Sequence, residues 1–64
     1  MSKIRRGGYV FITWISDHLP RHVHVYRDGE FVVKWDLEER RAMRGEGSSR
    51  VIELIEELDR EGFL

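Results

Sequence analysis

The dipeptide Asp28-Gly29 constrains the fold of this chain more than any other feature, because it joins two runs of strand-forming residues. An Asp-Gly pair between such runs is typical of a type I′ turn with two central residues. We therefore predict an antiparallel hairpin with strands at His22–Arg27 and Glu30–Leu37. Valine and aromatic residues, which favour extended backbone, occupy much of both segments.

The turn also predicts which residues of the two strands face each other. A loop of two residues places Arg27 opposite Glu30, and the pairing is expected to continue from there as a regular ladder. Side chains alternate between the two faces of a strand. One face of the hairpin is therefore expected to carry His22, His24, Tyr26, Phe31, Val33 and Trp35.

The segments before and after the hairpin extend the sheet. Tyr9–Ser16 is almost entirely β-branched or aromatic, which predicts a strand that is partly buried on both faces. Such a strand favours a central position in the sheet or a dimer interface. Arg41–Arg44 predicts a short further strand, and Met1–Gly8, which ends in two glycines, predicts a flexible basic arm.

The C-terminal segment has the pattern of an amphipathic helix. Ser48 or Ser49 is suited to the N-cap, and Gly62 stands where a left-handed C-cap residue is expected. An apolar stripe at helical spacing consists of Val51, Leu54, Ile55 and Leu58. The predicted fold class is α+β, an antiparallel sheet of three or four strands with one C-terminal helix packed on it. It forms one domain over residues 9–64, after the arm at residues 1–8.

Length and composition limit how this domain is stabilised. A chain of 64 residues buries only a small core, and small domains commonly depend on a disulfide, a metal or a partner subunit. The lack of cysteine excludes disulfides and thiolate metal sites. Open sheet edges favour a homodimer. No apolar run approaches the roughly 20 residues that span a bilayer, so we expect a cytoplasmic protein without membrane contacts.

All three histidines lie within one stretch, D-H-L-P-R-H-V-H-V, which runs from Asp17 to Val25. Two histidines at alternate positions of a strand point to the same side, as ligands of a metal site built on a strand do. A loop just before the strand can supply a third imidazole. The candidate ligands of a divalent metal such as zinc are His18, His22 and His24.

The same two strand histidines also suit chemistry without a metal. Cleavage of RNA through its own 2′-hydroxyl needs a base, an acid and a cation at the phosphate. His22 and His24 are candidates for base and acid, with Arg21, Arg27 or Lys34 at the phosphate. In a third interpretation the imidazoles only pack beside Trp35. The residues leave the three alternatives open.

Charge is distributed unevenly along the chain. There are ten basic and seven acidic residues up to Arg50, but one basic and five acidic residues from Val51 onward. The first part is therefore the one that suits a polyanion such as RNA or DNA. The basic residues suited to such a surface are Lys3, Arg5, Arg6 and Arg21, and the candidate binding residues are Arg5, Arg6, His18, Arg21, Lys34 and Trp35.

The stretch from His18 onward resembles the signature His-x-Pro-Pro-His-x-His-Val of a small prokaryotic family of unknown function. The family's pattern continues with a glycine hairpin and a strand that ends in aspartate and an aliphatic residue. Arg21 stands where the family usually has its second proline. The matching positions of this chain are His18, Pro20, His22, His24, Val25, Gly29, Asp36 and Leu37.

The resemblance covers the chain from about Tyr9 and implies a genetic context rather than an activity. Members of the family are short cytoplasmic proteins that are often encoded beside a second small protein, an arrangement similar to a toxin–antitoxin pair. The leading interpretation is a small dimeric binding module of such a pair, with an interaction surface centred on His18, His22 and His24. The alternative is a histidine-dependent ribonuclease or metal-binding enzyme that uses the same residues, so the sequence leaves enzymatic activity open.

Overall fold

A computed structural model describes residues 2–14 and 20–64 of the chain. They form one antiparallel sheet in which each strand pairs with its neighbours in sequence, in the order β1-β2-β3-β4-β5. A single helix follows the last strand. The α+β class is confirmed, but the sheet has five strands rather than three or four. The elements are β1 (Ser2–Arg6), β2 (Tyr9–Thr13), β3 (His22–Arg27), β4 (Glu30–Asp36), β5 (Arg41–Gly45) and α1 (Ser49–Arg60).

The additional strand is β1, so the prediction of a flexible arm is wrong for Ser2–Arg6. The backbone φ angles of Gly7 and Gly8 are both positive, at 61° and 85°. A type I′ turn requires positive φ at both central residues, so the two glycines close a hairpin. The register places Ile4 opposite Phe11 of β2. The basic segment therefore forms an edge strand.

The hairpin of β3 and β4 contains a β-bulge that the regular ladder did not predict. Tyr26 pairs with Phe31 as expected, but Val25 pairs with Val33, so Val32 is the extra residue. A shift of one residue moves every later side chain of the strand to the other face. Both valines then lie against the core, Val33 fully buried and Val32 partly buried.

The bulge corrects the predicted composition of the histidine face. Beyond it, His24 pairs with Lys34 and His22 pairs with Asp36. Trp35 instead pairs with Val23, which is fully buried in the core. The prediction that Trp35 and Val33 share a face with the two histidines is therefore wrong.

The helix has the predicted caps and the predicted buried stripe. The hydroxyl of Ser48 accepts a hydrogen bond from the backbone N–H of Val51 at 3.2 Å. At the C-terminal end the N–H of Phe63 donates to the carbonyl of Leu58 at 3.0 Å, and that of Gly62 donates to Asp59 at 3.1 Å. These two bonds form a Schellman motif. The stripe residues Val51, Leu54, Ile55 and Leu58 are all buried.

The hydrophobic core lies between the helix and one face of the sheet. It combines the helix stripe with one set of alternating strand side chains, of which Phe11, Val23, Val25 and Val33 are fully buried. The face of the sheet that carries the other alternating set is not covered by the helix. In the part of the chain that the structure describes, no helix has the length and apolar character needed to span a membrane.

The connection between β4 and β5 depends on the buried side chain of Asp36, which is 4% exposed. Its Oδ1 atom accepts hydrogen bonds from the backbone N–H groups of Glu38 and Glu39, both at 2.8 Å. We expect Asp36→Ala to lower the free energy of unfolding by about 1–3 kcal/mol, because two N–H donors lose their acceptor. Urea denaturation measures this loss. Asp36→Asn keeps an acceptor oxygen and is expected to lose less, so equal losses in the two variants would contradict this role.

Candidate functional site

The face of the sheet opposite the helix, called the open face below, carries the alternate side chains of all five strands. Because Phe11, Val25 and Val33 cross the sheet in register on the core side, their sequence neighbours point to the other side, except for Val32 in the bulge. None of these neighbours on the open face is fully buried. The residues of the open face include Lys3 and Arg5 (β1), Val10 and Ile12 (β2), His22, His24 and Tyr26 (β3), Phe31 and Lys34 (β4) and Arg44 (β5).

Two pairs of rings lie on the part of the open face built by β3, β4 and β5. The rings of Tyr26 and Phe31 meet edge to face, with centroids 5.9 Å apart. The guanidinium of Arg44 lies over the ring of Phe31, 5.0 Å from its centroid. The imidazoles of His22 and His24 are also edge to face, at 5.3 Å. Half-buried rings and a cation therefore share one surface.

The acidic residues at the helix are paired with arginines, three of which come from outside the helix. Arg6 forms two hydrogen bonds with the carboxylate of Glu61, at 2.7 and 3.0 Å, and one with Glu57 at 3.0 Å. The hydrogen bond from Arg6 lowers the pKa of the Glu61 carboxyl and raises the pKa of Arg6 itself. Exposed pairs of this kind add little stability, but they cancel charge. The remaining pairs are Arg21–Asp59, Arg40–Glu56 and Arg50–Glu53, at 3.3, 3.0 and 2.8 Å.

The cations of the open face have no such partners. Lys3, Arg5, Lys34 and Arg44 form no ion pair with any residue that the structure describes. Two of them belong to β1 at one edge of the sheet, and the other two belong to β4 and β5 at the opposite edge. The apolar and aromatic side chains lie between them. The open face is therefore positively charged at both margins.

The two strand histidines lie together, as predicted, near the middle of the open face. The Nδ1 atom of His22 is 2.9 Å from the carbonyl oxygen of Pro20. A carbonyl only accepts, so Nδ1 of His22 is the donor of this hydrogen bond. His24 lies between Ile12 of β2 and Lys34 of β4 in the register. Both imidazoles are half-buried.

The structure divides the remaining predicted site residues between the two sides of the sheet. Arg5 and Lys34 share the open face with His22 and His24, whereas Trp35 is buried in the core and 6% exposed. The other two, Arg6 and Arg21, are paired with helix acids. These ion pairs result from the packing of the helix, which the local sequence does not specify.

The predicted zinc site includes His18, which lies outside the described residues. Among residues 2–14 and 20–64, no group of three or more histidine, aspartate or glutamate side chains is placed to hold a metal ion. The ligand set His18, His22 and His24 therefore stays a prediction.

Sequence reasoning missed two parts of the open face. Arg44 and Phe31 were not assigned to the site, although pairing of a fourth strand with Lys34 would have brought Arg44 there. The second part is a cavity of about 420 Å³ at the end of the open face next to the turns β1–β2 and β3–β4. Its lining includes Lys3, Arg5, Val10, Ile12, Tyr26 and Asp28.

These features define a class of protein: a small α+β domain with a five-stranded meander, a helix on one face and a cationic, ring-bearing open face on the other. The chain belongs to the family described as domain of unknown function DUF4160, whose model matches residues 7–61. The match confirms the resemblance at the level of a small domain of unknown function. No curated protein matches the chain, and no solved structure does.

Proposed function

We propose that this chain is a small binding module that holds single-stranded RNA on the open face of its sheet. The observation that carries the proposal is the difference in ion pairing between the two sides of the sheet. Four arginines beside the helix (Arg6, Arg21, Arg40 and Arg50) are paired with acids, whereas Lys3, Arg5, Lys34 and Arg44 form no ion pair with any described residue. Unpaired cations grouped on one surface attract a polyanion, even when the net charge is only −1.

The arrangement of the open face favours a single strand over a duplex. Neighbouring strands lie about 4.8 Å apart, so β1 and β5 are separated by roughly 19 Å. Cations at both margins suit phosphates, and the half-buried rings of Tyr26 and Phe31 between them suit unpaired bases. Trp14, directly after β2, is 46% exposed and offers a further ring. Stacking of a base on an aromatic side chain contributes about 1–3 kcal/mol. In a duplex the faces of the bases are hidden.

The proposal includes the genetic context implied by the resemblance. In a toxin–antitoxin-like pair, a second small protein would compete with RNA for the open face. A homodimer joined through the free edges of β1 or β5 would leave both open faces accessible. Face-to-face pairing of two open faces is opposed by their like charges. An RNA partner fits the cytoplasmic location expected from the sequence.

Titration of the full chain into a fluorescently labelled single-stranded RNA of twelve nucleotides tests the proposal by anisotropy. Four phosphate contacts predict that the logarithm of the association constant falls with the logarithm of salt concentration, with a slope near −3. Duplex DNA of the same length is expected to bind more weakly. Absence of binding at low salt, or binding that salt does not weaken, would contradict the proposal. Binding only to a co-expressed protein would also contradict it.

The position of the two histidines favours a second candidate function, a ribonuclease that needs no metal. The rings of His22 and His24 are 5.3 Å apart on the open face, and Lys34 is paired with His24 in the register. One imidazole would take the proton of a 2′-hydroxyl, and the 2′-oxygen would attack the adjacent phosphorus. As the bond from phosphorus to O5′ breaks, the other imidazole, in its protonated form, would give a proton to O5′. Lys34 would stabilise the charge of the intermediate phosphorane.

The products of this reaction are a 2′,3′-cyclic phosphate and a 5′-hydroxyl, which identify it in a digest of the labelled RNA. His22→Ala and His24→Ala are each expected to slow cleavage by about 10²–10⁴-fold and to change RNA binding little. Activity should survive EDTA. Cleavage that requires added zinc would favour the metal site instead. RNA that stays intact after long incubation would exclude the ribonuclease and leave the binding module in place.

A further inference from the structure

The cavity at the end of the open face combines three kinds of surface. Its floor is apolar, formed by Val10 and Ile12, and Tyr26 contributes a ring. Lys3 and Arg5 line it with positive charge, and the carboxylate of Asp28 lines it with negative charge. A volume of about 420 Å³ lies in the range of small-molecule sites.

The charges in this cavity do not neutralise each other. Asp28 forms no ion pair with any residue of the described chain, although Lys3 and Arg5 line the same cavity. The carboxylate belongs to the turn between β3 and β4, whereas the two cations belong to β1. A ligand that satisfies both must present an anion at one end and hydrogen-bond donors at the other, with a flat apolar body between them. A nucleotide has this arrangement.

The hydrogen-bonding edges of the bases differ in what they offer to a carboxylate, which only accepts. Guanine presents two adjacent donors, the N1–H and the exocyclic amine. Uracil presents one N–H between two carbonyl groups. Adenine and cytosine each present an amine beside an unprotonated ring nitrogen, which repels a carboxylate oxygen. Two parallel bonds are therefore available to guanine alone.

We propose that the cavity is a nucleotide subsite that selects guanine in single-stranded RNA, a proposal that rests on the function proposed above. Asp28 accepts the N1–H and the amine of the base, Tyr26 and Val10 contact its ring, and Lys3 and Arg5 bind the adjacent phosphate. The turn holds Asp28 in a left-handed conformation with φ at 52°. The two-residue hairpin restricts this backbone, which limits the region that the carboxylate can reach before the base arrives.

Binding of three RNA probes tests the subsite. Each probe is a run of twelve nucleotides, all uridine except for one central guanosine, inosine or adenosine. We expect the guanosine probe to bind at least about tenfold more tightly than the adenosine probe, which corresponds to about 1.4 kcal/mol. Inosine lacks the exocyclic amine, so its probe should lose most of this advantage.

The decisive variant is Asp28→Asn, because Asn-Gly is as well suited to a type I′ turn as Asp-Gly, so the hairpin is retained. It should bind the guanosine probe about tenfold more weakly than the unmodified chain does, so that the guanosine and adenosine probes bind equally. Glu30→Gln removes a neighbouring charge that does not line the cavity and should keep the preference. RNA binding without a guanine preference, or a preference that survives in Asp28→Asn, would overturn the subsite and leave the proposed function intact. Failure of all probes to bind would overturn both.

Discussion

Replacement of Gly45 by alanine is expected to lower the free energy of unfolding by roughly 3–5 kcal/mol, the largest effect of any single substitution that we predict. The backbone of Gly45 has a φ of 75°, a conformation that side chains other than glycine rarely adopt. A Cβ atom at this position would clash with the carbonyl oxygen of Val32 and would lie 3.0 Å from the ring of Phe31. The N–H of Glu46 donates to the same carbonyl at 3.3 Å, so the oxygen cannot move away without losing a bond.

Gly62→Ala is the matched control for this effect. Gly62 also has a left-handed backbone, with φ at 83°, but a Cβ atom there meets no atom within 4 Å. Gly62→Ala should therefore lower the free energy of unfolding only through the strained backbone, by about 1–2 kcal/mol. Urea denaturation followed by circular dichroism gives both values. Equal losses would show that the close approach of β5 to the bulge of β4 does not stabilise the fold.

The elements that the sequence predicted well are those defined by local chemistry. The two adjacent residues Asp28-Gly29 define the turn of their hairpin. Ser48 caps the first turn of the helix and Gly62 its last turn, in both cases through hydrogen bonds between residues that are close in sequence. In each of these cases, the residues that predict the structure and the structure itself lie within a few positions of each other in the sequence. Such signals depend little on how the rest of the chain packs.

The bulge in β4 and the strand β1 depend on contacts between distant parts of the chain. Val32-Val33 interrupts the alternation of the strand, but an apolar doublet fits a strand buried on both faces equally well. The core selects the bulge because it buries both valines. In β1 only Ile4 is apolar, so its pairing with β2 produces a strand that its own composition barely indicates.

The sequence also predicted only the local part of the candidate site. Alternation placed His22 and His24 together, but the bulge exchanged their expected neighbour Trp35 for Lys34. The ion pairs of Arg6 and Arg21 join residues that are 38 to 55 positions apart, so only the packed helix reveals that these arginines are neutralised. Knowing which cations are left unpaired therefore requires the tertiary structure, and the proposed function depends on that knowledge.

Removal of the open-face cations is expected to have the largest effect on RNA binding. The variant that combines Lys3→Ala, Arg5→Ala, Lys34→Ala and Arg44→Ala should bind the labelled single strand roughly 10²-fold more weakly at low salt. Its dependence on salt should almost vanish, because each phosphate contact contributes about 0.7 to the slope for single strands. The side chains removed lie outside the core, so the helix signal in circular dichroism should be unchanged.

The other side of the molecule supplies a control of the same net charge, which combines Arg6→Ala, Arg21→Ala, Arg40→Ala and Arg50→Ala. Each of these arginines forms an ion pair with an acid of the helix. Both variants lose four positive charges, but only the first loses them from the open face. If RNA binds there, the control should keep a salt slope close to that of the unmodified chain and lose affinity only through the weak repulsion of the exposed acids. An equal loss in both variants would mean that the total charge attracts RNA, and the open face would no longer be supported as the binding surface.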